Sequence, residues 1–155
     1  MMLAPGETPD FGGAKLILTC GPDLLACLRD DFAHIPWPAH WDLPGGGREG
    51  NETASACALR ELHEEFGLRL PPDRLEGAFV FPNTSGGRAS IFFTGRITRH
   101  EIAAIRFGDE GQCWQMMEIG AYVAHPRAVP HFRRRVAQCL GMEGPQGSAE
   151  APQTG

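Results

Sequence analysis

The sequence predicts an α/β fold, a mixed β-sheet held between helices. Three observations predict it. Short apolar runs with β-forming residues recur along the chain, two segments carry helical periodicity, and strands and helices alternate irregularly rather than in separate blocks. At 155 residues, with 42% hydrophobic and 21% charged residues, the chain suits one domain with a real core.

The strands come first. Lys15 to Thr19 (KLILT) and Asp23 to Arg29 (DLLACLR) flank the turn Cys20-Gly21-Pro22. Asp30 to His40 is a Pro-interrupted loop, and Trp41 to Leu43 leads into Pro44-Gly45-Gly46-Gly47. A helix is expected from Glu52 to Phe66, stopped by Gly67. Gly77 to Phe81 and Ala89 to Ile97 read as further strands around NTSGG, and Cys113 to Met117 as another after the polar loop GDEGQ. A last helix runs from Pro130 to Leu140, with Phe132, Val136 and Leu140 on one face. Residues 1–13 are expected to form a flexible arm, 14–140 the domain, and 141–155 a disordered tail with little to bury.

The net charge of -5 and the lack of a basic patch argue against general nucleic-acid binding. No apolar run approaches the length of a membrane span. Five cysteines without a CxxC pair suggest reduced, mostly buried thiols. No basic stretch followed by an apolar core opens the sequence, so a cytoplasmic location is expected.

The informative segment runs from Gly46 to Leu68. At ~100° per residue, Ala58, Leu59, Leu62 and Phe66 form an apolar stripe, and Glu61, Glu64 and Glu65 gather beside it. Taken alone, such acids fit a solvated helix face. Their mutual repulsion becomes attraction around a divalent cation, and carboxylate oxygens suit magnesium. The preceding glycines let the backbone approach a ligand closely.

Gly46, Glu52, Arg60, Glu61, Leu62, Glu64, Glu65, Gly67 and Leu68 stand at every position of the Nudix signature, with each spacing correct. A chance match at a given start is on the order of one in a hundred million. The segment, with its lead-in Trp41-Asp42-Leu43-Pro44-Gly45, therefore resembles the Nudix hydrolases, and MutT-like members in particular. The resemblance implies a Nudix α/β/α sandwich and an enzyme that cleaves a diphosphate linkage with Mg2+, for which Mn2+ can substitute. It implies metal ligation by Glu61, Glu64, Glu65 and the Gly45 carbonyl, with Glu52 and Arg60 holding loop and helix in register. The general base is left open among Glu64, Glu65 and Glu110 of the GDEGQ loop.

The expected substrate is a nucleoside triphosphate or related nucleotide, including an oxidised one such as 8-oxo-dGTP. ADP-ribose, a dinucleoside polyphosphate and an RNA 5' end are alternatives within the class, and a non-catalytic nucleotide sensor lies outside it. Gly46, Trp37, Asn83 and Arg88 are the substrate-binding candidates, Trp37 as a stacking lid. Dimers are common in the family, so a homodimer is compatible. Cys57 is read as a structural thiol, His63 as an exposed helix residue, Trp41 as packing under the glycine loop, and Arg133-Arg134-Arg135 as solvated surface.

Overall fold

In a computed structural model, residues 2–4, 9–83 and 86–142 are described. Their elements are β1 (Phe11–Cys20), β2 (Asp23–Leu28), β3 (Trp41–Asp42), β4 (Gly45–Gly47), α1 (Ala54–Phe66), β5 (Leu75–Phe81), β6 (Ala89–Arg96), α2 (Arg99–Ala103), β7 (Cys113–Glu118), α3 (Ile119–Val123) and α4 (Pro130–Cys139).

Seven strands form one mixed sheet. β1 runs parallel to β6 and antiparallel to β2 and β4, β5 pairs with β6, and β7 pairs with β2. β1 is central, and its side chains alternate between two cores. Ala14, Leu16 and Leu18 join Cys57, Ala58, Leu62 and Phe66 of α1 on one face. Ile17 joins Tyr122, Val123, Val136 and Ala137 of α3 and α4 on the other. The expected mixed sheet between helices is therefore present.

Several details differ from expectation. β1 begins at Phe11, inside the expected arm, and Leu3 N–H donates to Ala78 O at 2.7 Å, so part of the arm borders β5. The expected tail lies outside the described residues from 143 onward. α1 starts at Ala54, not Glu52, because Thr53 caps it by accepting from Ala56 N–H. α2 and α3 occupy segments that showed no helical pattern, since five residues are too few to display one. α4 buries His131, Arg135, Val136 and Ala137, whereas Phe132 and Leu140 are only half-buried. Arg135 is not solvated: its guanidinium lies over the rings of Phe81 and Phe92 at 5.1 and 5.4 Å. Of the five free cysteines, Cys27 and Cys57 are buried, Cys20 and Cys139 half-buried, and Cys113 exposed. No helix among the described residues is long and apolar enough to cross a membrane.

The sheet opens where the site lies. Only Thr19 and Cys20 of β1 pair with β2. Further back, Gly13, Ala14 and Lys15 pair with Gly47, Gly46 and Gly45 of β4, while Cys27 and Leu28 of β2 pair with β3. The segment 42–45 thus crosses from β2 to β1 in front of α1.

Candidate active site

Lys15 and Asp42 meet in this opening. The Lys15 Nζ lies 3.0 Å from Asp42 Oδ1 and donates to the carbonyls of Leu43 (3.3 Å) and Gly45 (3.2 Å). Asp42 is 5% exposed; it also accepts from Arg29 Nη1 at 2.9 Å and from Leu43 N–H at 2.6 Å. A buried acid is tolerable only with such partners. Burial by itself pushes the Lys15 ammonium down, but the attraction of Asp42 and Glu65 outweighs it and leaves the group above its ordinary range.

The second part of the site is α1. Its buried stripe is Cys57, Ala58, Leu62 and Phe66, and Gly67 ends it in the left-handed conformation that glycine adopts freely. Cys57 takes the place expected for Leu59, which is only partly buried, and its thiol sits 3.5 Å from Gly46 O. A buried Cys57 packed on the glycine strand suits the structural role read from the sequence.

Arg60 gathers the acids around the helix. Its Nε and Nη2 donate to the two oxygens of Glu52 at 2.6 and 3.0 Å, and Nη2 also donates to Gly47 O at 3.0 Å. Its Nη1 donates to Glu61 at 2.9 Å and to both oxygens of Glu64 at 3.2 Å. The forked guanidinium holds the Glu52 carboxyl below its usual range and its own pKa above. Glu65 points the other way, accepting from Gly45 N–H at 2.9 Å. Burial raises its carboxyl to about 7, with Lys15 and the Gly45 N–H opposing that rise.

Among the described residues, no three His, Cys, Asp or Glu converge into a ready-made cage. The acids are instead drawn apart, Glu61 and Glu64 onto Arg60 and Glu65 onto Gly45. This set nevertheless fits a magnesium ion, which needs only one or two carboxylates beside substrate phosphates. Two observations support the fit. One guanidinium nitrogen already rests against Glu61 and Glu64 together, as a cation would. A Cβ on Gly46 would fall 2.6 Å from Glu61 Cδ, so only glycine leaves that carboxylate its place.

A cleft of about 380 Å³ adjoins Glu65 and Asp42, lined by Phe32, His34, Ile35, Phe107 and Glu110 among others. Its walls are tied together: Asp30 accepts from Gly111 N–H at 3.0 Å, and Gln112 Nε2 donates to Arg29 O at 2.9 Å. Glu110 therefore shares the cleft with Glu65. The other candidates do not line it. Trp37 packs against the rings of His40 and His131, at 5.3 and 6.3 Å. Arg88 lies 3.5 Å from Asp10, beyond the far end of β1. Asn83 accepts from Gly86 N–H within the β5–β6 turn, whose residues 84 and 85 are outside the described set. Trp41 packs against the α3–α4 core rather than under the glycine strand.

Sequence reasoning missed Lys15, Asp42, Phe32 and Phe107. A lysine opening an otherwise apolar strand was the available signal for the first.

A family model described as the NUDIX domain matches residues 13–139. The chain belongs to the NUDIX domain family. It is 42% identical over 53 residues to a MutT-like protein of Streptomyces ambofaciens, an alignment covering 34% of this chain and 33% of that protein. The first curated relatives are covered over only 8–33% of their own length. Among solved structures, the MutT protein of Methanosarcina mazei Go1 superposes with a TM-score of 0.66 at 18% identity, over 85% of this chain and 94% of that one. A bifunctional NMN adenylyltransferase/ADP ribose pyrophosphatase of Francisella tularensis, complexed with AMP and a Mn ion, gives 0.65 at 24% identity, over 89% and 43%. At such identities these likenesses establish the fold. Nudix enzymes generally use divalent metals, and the Francisella structure contains a Mn ion.

Proposed function

We propose that this Nudix domain is a magnesium-dependent pyrophosphohydrolase that cleaves the diphosphate linkage of a nucleoside triphosphate or related nucleotide. The observation that carries the reading is the meeting of Glu61 and Glu64 on one nitrogen of Arg60, on the helix whose Glu65 lines a cleft.

Glu61, Glu64 and Glu65 are the residues that hold the metal, with Mn2+ able to substitute for Mg2+. When bound, the metal neutralises the diphosphate and acidifies the attacking water. Arg60 and Glu52 tie the helix to the glycine strand, so the acids keep their positions when substrate phosphates arrive. With three acids assigned to the metal, Glu110 on the same cleft takes the water's proton. Phe32, Ile35 and Phe107 offer apolar walls for a planar base, and the cleft's size is within the range of small-molecule sites. The AMP in the Francisella structure supports a nucleotide as the class.

The test is product analysis with Mg2+ and a panel of dGTP, 8-oxo-dGTP, ADP-ribose, diadenosine tetraphosphate and triphosphorylated RNA. Turnover of a panel member, abolished by Glu64→Gln and by chelator, is expected. Nucleotide binding without turnover of any member overturns the hydrolase in favour of a sensor.

A further inference from the structure

Lys15 lies on the middle strand of the sheet, in a place where a charge is costly, and its polar side-chain contacts are with the segment 42–45. Its ammonium pairs with Asp42 and donates to the carbonyls of Leu43 and Gly45, and the ring of Phe132 lies 5.6 Å from Nζ. The residue Gly45 is thereby held on both sides of its Cα, its N–H on Glu65 and its carbonyl on Lys15. That carbonyl is the one the sequence resemblance offers to a metal.

The acids nearby outnumber the cations. Asp42, Glu52, Glu61 and Glu64 are met directly by Lys15, Arg29 and Arg60, and Glu65 is the acid left without a cation in contact. A cation approaching the Gly45 carbonyl would share that oxygen with an ammonium, and like charges at such range repel.

We infer that Lys15 is a fixed cation that claims the Gly45 carbonyl and holds down divalent-metal affinity at the α1 acids, so that metal is taken up together with the substrate's phosphates. This rests on the metal-binding reading of Glu61, Glu64 and Glu65. Lys15 is a positioning residue: it acts through the Gly45 carbonyl and through charge.

The sign of its effect separates this role from a structural one. Mn2+ binding to the purified protein, without substrate and at mildly alkaline pH, is followed by the electron paramagnetic resonance signal of the free ion. Lys15→Met frees the carbonyl and removes the charge, so Mn2+ binds more tightly, by about tenfold, the scale of one nearby unit charge. Lys15→Gln, a second neutral variant that keeps a hydrogen-bond donor, moves in the same direction. Lys15→Arg stays near the parent. A folded Met or Gln variant, verified by circular dichroism, that binds Mn2+ no more tightly than the parent overturns the inference. Glu64→Gln is titrated in both backgrounds. A loss of affinity there upholds the metal reading whatever the lysine variants do, and no loss overturns that reading itself.

Discussion

Two adjacent glycines show how differently single residues bear on this site. A Cβ on Gly45 would lie 2.1 Å from Ala14 O and 2.7 Å from Lys15 Cα, and φ there is +132°. Backbone atoms of a central strand cannot yield, so Gly45→Ala is expected to cost on the order of 3 kcal/mol or more. The three atoms nearest a Cβ on Gly46 all belong to the carboxyl end of Glu61. That side chain can swing away, so Gly46→Ala is expected to fold with little change in its urea midpoint. It should nevertheless lose turnover and Mn2+ affinity, because Glu61 is displaced. Equal destabilisation by both substitutions would show that the Glu61 pocket is part of the folding core rather than of the metal site.

At the scale of elements, α2 depends on its cap. Thr98 Oγ1 accepts from Glu101 N–H at 3.1 Å, the Glu101 carboxylate accepts from Thr98 N–H at 2.9 Å, and Arg74 holds the same carboxylate at 2.6 and 2.9 Å. Thr98→Ala should therefore cost about 1 kcal/mol in urea unfolding, and an unchanged midpoint would mean that the Arg74–Glu101 pair and the packing of Ile102 hold the helix without the Thr98 side chain. Neither the cap nor the helix was read from the sequence, because five residues show no period. α1 was legible almost completely, because its stripe and its Gly67 stop are local signals, and so were the cores of the strands. The buried face of α4 was not. Arg135 is buried there by lying over Phe81 and Phe92, and a charged residue does not register in a hydrophobic pattern. The acid cluster of the site was written into one helix, whereas the Lys15–Asp42 pair joins residues 27 positions apart and exists only once the sheet opens around segment 42–45.

At the scale of the whole molecule, the opening in the sheet places ionisable groups inside the fold, and stability must follow their protonation. Burial raises Glu65 to about 7 from an ordinary value of 4.5. The folded state thus binds a proton more readily than the unfolded chain. The stabilisation this gives is complete below the unfolded value and is lost as pH rises through the folded one. Glu101 works in the opposite sense. Arg74 lowers it to about 2, so its contribution is present above the ordinary carboxylate range and is lost only as pH falls through that value. In chelator, the metal-free protein is therefore expected to lose stability between about pH 5 and pH 8, by up to about 3 kcal/mol from the Glu65 shift. Urea unfolding across that range measures it, and Glu65→Gln, which cannot ionise, should flatten the decline. Added Mg2+ should also reduce it, since a cation beside Glu65 favours the charged form. A decline of the same depth in Glu65→Gln would assign the loss to another group and remove Glu65 from the interior charges that the fold must balance.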